Sequence, residues 1–165
     1  MDIKDKVQSA MVQAEADAVN YVMNAGNGYR VTSMRDLRPD DIKDFTAGTS
    51  GTSKTMGEND TTVATGTTEN TLSTDILNNE SYVIEGLYLP AVTGVTTTYV
   101  SMFIGDAKQR WVRGARVTAE PNSTLYFDTP LVVKPSETIK VKFLTSAASA
   151  THPIEILGKK VKGQA

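Results

Sequence analysis

The residues that most often carry out chemistry in proteins are scarce in this chain, which has no cysteine and a single histidine, His152. Without cysteine there is no thiolate nucleophile, no disulfide and no Cys-based metal site. One histidine alone forms neither a catalytic triad nor a zinc cluster. Asp40, Asp41 and Asp44 lie close together in the sequence, but they lack the alternating ligands and the closing Glu of a calcium loop. We therefore predict no catalytic residue, no metal site and no cofactor.

A basic–aromatic segment, KQRWVRGAR, surrounds Trp111, the one tryptophan of the chain. Such clusters bind single-stranded nucleic acid or sugars, and Trp and Arg are also favoured anchors of protein interfaces. A third interpretation is a strand with a buried Trp111 and a solvated basic edge. We retain Trp111 and Arg113 as candidate interface residues.

The first segment, IKDKVQSAMVQAEADAVNYVM, predicts an amphipathic helix. Its apolar residues recur at spacings of three and four, so they form one stripe along the helix. The stripe consists of Ile3, Val7, Met11, Ala14, Ala18 and Val22. It can pack either on the domain of its own chain or on a neighbouring subunit. Because a Thr-rich stretch separates the helix from most apolar residues, we count the stripe among the candidate interface residues.

A tract rich in Thr, Gly and Ser begins at Thr46 and contains few residues that could enter a core. Thr favours extended backbone, whereas Gly and Ser keep the chain flexible. Within the tract, TTVAT around Val63 could form an edge strand. The sequence predicts a helical arm over 1–45, an extended linker or arm over 46–80, and a β-sandwich domain over 81–165. On this division, residues 1–75 would add little to the stability of the sandwich.

From Ser81 onward, short apolar segments alternate with turn residues. TTTYVSMFIG and SETIKVKFLTS both show the two-residue period of half-buried strands. Six or seven such strands predict a mainly β fold, an antiparallel β-sandwich of the jelly-roll type. The expected core consists of Val100, Met102, Ile104, Ile139, Val141, Phe143, Ile154 and Ile156.

The chain begins with the helical segment VQSAMVQAEADAVNYVM, which precedes the Thr/Gly-rich tract. A sandwich with LVVKPSETIKVKF near its end follows. In this organisation the chain resembles the head decoration or cement proteins of tailed phages. The resemblance implies a non-enzymatic protein of the virion, assembled in the host cytoplasm. It further implies a homo-oligomer, with a trimer favoured, that binds the viral major capsid protein between coat subunits. A small tail or neck component is an alternative.

Charge and hydropathy limit the other partners. The formal net charge is −2 and the sequence pI about 5.4, so we expect no nucleic-acid partner, because phosphate binding needs an excess of Lys and Arg. We also expect no membrane partner, since no apolar run approaches the length of a membrane span. The competing function is a carbohydrate-binding sandwich module, with Trp111, Tyr126 and Tyr88 as its sugar platform.

Overall fold

The computed structural model describes residues 2–25, 28–38, 41, 45–47, 52–54, 63–65, 70–89, 97–113, 123–145, 148–151 and 155–164. They form one amino-terminal helix and a set of antiparallel strands, so the prediction of a mainly β fold with a helix at its start is confirmed. The elements are α1 (Ile3–Met23), β1 (Arg30–Asp36), β2 (Phe45–Ala47), β3 (Thr52–Lys54), β4 (Val63–Thr65), β5 (Asn70–Asp75), β6 (Glu80–Leu89), β7 (Thr97–Ile104), β8 (Ala107–Arg113), β9 (Ser123–Val133), β10 (Thr138–Thr145), β11 (Ala148–Thr151) and β12 (Glu155–Gln164).

The long strands form two sheets in the order of a jelly roll. The four-stranded sheet has the order β1-β12-β6-β9, and the six-stranded sheet has the order β3-β2-β5-β10-β7-β8. Apart from the short strands β2 and β3, each sheet contributes four strands. Successive long strands pass from one sheet to the other, except for the hairpin of β7 and β8, as in double Greek-key sandwiches. The short strands β4 and β11 form a separate two-stranded sheet. The predicted jelly-roll sandwich is therefore confirmed.

The main core lies between the two sheets. Alternate residues of β6, β9 and β12 meet alternate residues of β7 and β10 there, as the two-residue period of strands requires. Of the expected core, the buried members are Val100, Met102, Ile139, Val141 and Ile156, and Ile104 is partly buried against them. The side chain of Phe143 and residue Ile154 lie outside the described part of the structure.

Helix α1 covers the opposite, outer face of the four-stranded sheet. Ala14, Ala18 and Val22 are buried in a second apolar cluster. Val83 of β6 and Val161 of β12 complete its buried part, and Val132 of β9 is packed against it. The small Ala side chains let the helix approach the sheet closely. At its start, the Asp2 carboxylate accepts a hydrogen bond of 2.6 Å from the Ile3 amide, which caps the helix.

This packing corrects the expected division of the chain into a free arm, a linker and a sandwich. The 1–45 region supplies the helix over the sheet and also β1, which pairs with β12. The 46–80 region supplies β5, which pairs with β10 along its whole length. The physical reason is that Thr is a good strand former, so the Thr-rich tract joins the ladder of the six-stranded sheet. Within it, Val63 lies in β4, as TTVAT indicated.

A charge placed under the helix should therefore unfold the domain. Ala18 is fully buried, whereas Ala16, two residues earlier, is exposed. We expect Ala18→Glu to lower the free energy of unfolding by at least about 3 kcal/mol, because it buries an uncompensated carboxylate. Ala16→Glu is the matched control and should change it by less than about 0.5 kcal/mol. Urea unfolding followed by circular dichroism tests this, and equal stability of the two variants would mean that α1 is not part of the folded unit.

Candidate functional site

The structure packs most of the stripe predicted on α1 against the sheet of its own chain. Ala14, Ala18 and Val22 are buried within their own chain, and Met11 is packed at the edge of the same cluster. Ala14, Ala18 and Val22 are therefore unavailable to a partner, which corrects their assignment as interface residues. Met11 is half-buried, and its assignment stays a prediction. By contrast, the Ile3 side chain is 77% exposed. The side chain of Val7 lies outside the described part of the structure.

The first turns of α1 are exposed to solvent, and we call them the free half of α1. Residues 2–6, 8 and 9 are all exposed, and Val12 is exposed as well. The C-terminal half of the same helix is fixed against the sheet, so the first turns project as a rigid extension of the domain. An apolar side chain held in this way has already lost much of the conformational freedom that binding would otherwise remove.

Residues 108–113 of the basic–aromatic segment lie in β8, at one edge of the six-stranded sheet. The backbone of Trp111 pairs with Ser101, and that of Arg113 pairs with Tyr99. The side chains of Trp111 and Arg113 lie outside the described part of the structure, so their assignment as interface residues stays a prediction. Lys142 of β10 pairs with Ser101. Its ammonium lies 4.8 Å from the centre of the Phe103 ring, which is a cation–π geometry.

A buried hydroxyl marks this outer face. The Ser101 side chain is nearly fully buried, and its Oγ has no hydrogen-bond partner among the described residues. A buried polar atom without a partner costs free energy. Ser81, in β6, provides the contrast, because its Oγ donates a hydrogen bond of 2.6 Å to the Val133 carbonyl oxygen.

These two serines should respond in opposite ways to the same substitution. We expect Ser101→Ala to raise the free energy of unfolding by about 1 kcal/mol, because it removes an unpaired buried hydroxyl. Ser81→Ala should lower it by about 1 kcal/mol, because it leaves the Val133 carbonyl without one of its donors. Thermal and urea unfolding of both variants measure this, and a loss of stability in Ser101→Ala would show that its hydroxyl is satisfied in solution.

The three aromatic residues of the expected sugar platform do not lie together. Tyr88 and Tyr126 belong to the four-stranded sheet, in β6 and β9, whereas Trp111 belongs to the edge of the six-stranded sheet. The strand order therefore shows that the predicted sugar platform of these three residues is wrong, because Trp111 lies in the other sheet. Leu87 and Leu125, which precede the two tyrosines, are buried in the core, so alternation places both tyrosines on the outer face.

A smaller surface is formed around those two tyrosines, and we call it the tyrosine face. It consists of Tyr88, Tyr126, Glu155 and Leu157, whose neighbours Leu87, Leu125 and Ile156 point into the core. Tyr126 is 70% exposed. Glu155 pairs directly with Tyr88, and Leu157 pairs with Gly86 in the next row. This surface continues the outer face of the sheet beyond the part that α1 covers.

A network of charged side chains lies on the inner face of the four-stranded sheet, opposite to the face that carries α1 and the tyrosines. Arg35 donates two hydrogen bonds, of 2.6 and 2.7 Å, to the two carboxylate oxygens of Asp41. The Arg38 amide donates a third, of 2.8 Å. The hydrogen bonds from Arg35, more than the opposing effect of burial, lower the pKa of Asp41 to about 2. Through these contacts, Asp41 anchors the chain segment that follows β1.

The network extends to β6 and β12 through Lys160. Its ammonium lies 2.9 Å from a Glu80 oxygen and 3.6 Å from an Asp41 oxygen. Tyr82 donates a hydrogen bond of 3.3 Å to the other Glu80 oxygen, and burial is the main cause that raises the pKa of its hydroxyl. Each buried carboxylate is thus paired with a cation, as buried charges require. These pairs make the network a structural element that joins three strands.

The lowered pKa of Asp41 has a consequence for stability. A group whose pKa is lowered by folding stabilises the protein above its unfolded pKa, here 3.8, and this stabilisation is lost as the pH falls to about 2. We expect Asp41→Asn to cost about 2 kcal/mol at pH 6 and much less near pH 2. Asp106→Asn is the control, since Asp106 pairs with Lys140 but is 98% exposed, and exposed pairs contribute little. Urea unfolding at both pH values tests this, and a pH-independent cost would rule out the linkage.

The described part of the chain contains no group of three or more His, Asp or Glu residues placed to hold a metal ion. Within the same ranges, no helix is long and apolar enough to cross a membrane.

Comparison with known proteins gives little further guidance. No family model matches the sequence, and no curated protein matches it. Among solved structures, the chain is similar to a family 35 carbohydrate-binding module from an environmental isolate. The identity is 11%, the match covers 86% of this chain and 90% of that chain, and the TM-score is 0.28. This similarity is too weak to indicate a shared fold or ligand.

Proposed function

We propose that this chain is a non-enzymatic structural protein of a virus particle, of the decoration or cement type, which binds between coat subunits and stabilises the shell. The observation that supports this proposal is the free half of α1. The helix is fixed to the domain by Ala14, Ala18 and Val22, while Ile3 extends into solvent. Jelly rolls are common among capsid domains, although lectin domains share them, so the fold is compatible with the proposal without selecting it.

The free half of the helix suits attachment to a neighbouring protein. Burying the Ile3 side chain in a partner would contribute roughly 1.5–3 kcal/mol. Because the helix is already formed and anchored, little ordering cost opposes this gain. The partners that we propose are other copies of this chain, in a trimer, and the viral major capsid protein. The protein would then be localised in the virion.

A charge at Ile3 should weaken attachment without unfolding the domain. We expect Ile3→Asp to lower the affinity for particles that lack the protein by about tenfold or more, since it removes the burial of the isoleucine. The helix itself should persist, because an acidic residue is favourable in its first turn. Co-sedimentation with such particles measures the affinity, and the melting temperature should stay unchanged.

Ser9→Asp is the matched control, because Ser9 is exposed on the same helix but does not belong to the apolar stripe. It should bind particles like the unmodified protein. Equal binding by Ile3→Asp and Ser9→Asp would exclude the helix from the interface. Mass spectrometry of separated heads and tails then tests whether the chain is a head decoration protein, and we expect it in stoichiometric amounts in heads. Its presence in tails alone would indicate a tail or neck component. Its absence from both would refute the proposal.

A further inference from the structure

The tyrosine face has a defined geometry that follows from strand pairing. Tyr88 lies directly opposite Thr124 on β9 and directly opposite Glu155 on β12. Tyr126 lies two residues beyond Thr124, so it is the diagonal neighbour of Tyr88 on the same face. Directly opposite Tyr126 is Gly86, where a Cβ atom would overlap the Leu125 carbonyl oxygen. Tyr126 therefore has no side chain facing it across the strand pair, in agreement with its high exposure.

The spacing of the two tyrosines suits a thin, flat group. The backbones of diagonal neighbours on adjacent antiparallel strands are about 7–8 Å apart, a distance that aromatic side chains can span. Two aromatic rings that enclose a planar group need about 7 Å between them, since each van der Waals contact between carbon atoms takes roughly 3.5 Å. A guanidinium group is planar and stacks on aromatic faces, whereas an ammonium group is compact and strongly hydrated.

The charge around the tyrosine face favours a cation. Glu155 is directly opposite Tyr88, and Glu85 lies at the bulge between Ile84 and Gly86. A cation bound at the tyrosine face would pair with the carboxylate of Glu155, which lies directly opposite Tyr88.

We propose that the tyrosine face binds an arginine side chain presented by a protein partner, with the guanidinium between the Tyr88 and Tyr126 rings and paired with Glu155. The stacking and the ion pair act on the same planar cation, and both are stronger for Arg than for Lys. This site is separate from Ile3, so it does not depend on the partner being a coat protein.

Argininamide, which presents the guanidinium without a peptide context, is the probe for this site. In a titration of the full chain followed by amide chemical shifts, we expect changes centred on Tyr88, Thr124, Tyr126 and Glu155. Lysinamide should bind more weakly at the same residues. Tyr126→Ala and Glu155→Gln should each weaken argininamide binding by about three- to fivefold, and only Glu155→Gln should also reduce its dependence on salt.

Two control variants keep this test specific. Tyr21→Ala removes a partly exposed tyrosine from the helix, and Asp106→Asn removes an exposed carboxylate from the other sheet, so both should bind argininamide normally. Equal binding of lysinamide and argininamide would overturn the stacking geometry. Shifts at these tyrosines with cellohexaose but not with argininamide would overturn the proposal in favour of a sugar site. An absence of shifts at the tyrosine face would refute it outright, whether or not Ile3 governs particle binding.

Discussion

Three valines on the outer face of the four-stranded sheet must be shielded from water, and the fold of the amino-terminal region depends on this constraint. Val83 and Val161 are fully buried, and Val132 is packed beside them. The core between the sheets lies on the inner side of this sheet and cannot shield valines that point outward. Helix α1 provides the cover, and its small residues allow close contact. At the rim of this contact, Glu15 of the helix pairs with Lys159 of β12.

Much of the sandwich could be predicted from local sequence patterns. The alternation in β7 and β10 correctly identifies Val100, Met102, Ile139 and Val141 as core, because a sheet with one buried face leaves a two-residue period. The helix contact leaves a different signal in β6, where Ser81, Tyr82, Val83 and Ile84 are all buried. In the sequence this corresponds to the apolar run of Tyr82, Val83 and Ile84. Such a run is typical of a strand covered on both faces, and it could have indicated that the outer face of β6 is covered.

The candidate sites were less predictable, since they depend on which strands become neighbours. Tyr88 and Tyr126 are 38 residues apart in number, and only the pairing of β6 with β9 brings them to one face. The Asp41 network joins β1, β6 and β12, and no local pattern indicates that Lys160 would meet Glu80. The sequence does indicate that Glu80 and Glu85 face opposite ways, through their odd spacing, and the structure agrees: Glu80 is buried, whereas Glu85 is half-exposed.

The position of β12 also governs how this chain can reach its native state. This strand lies between β1 and β6, so the centre of the four-stranded sheet is formed by residues 155–164. The ribosome must therefore synthesise β12 before β1 can pair with it. Until then, β1 and one edge of β6 have unpaired backbone groups. Contacts of such high sequence separation make folding slow, and open edges invite association with other chains. Production of the protein should accordingly benefit from slow synthesis or low temperature, conditions that give the closing strand time to insert.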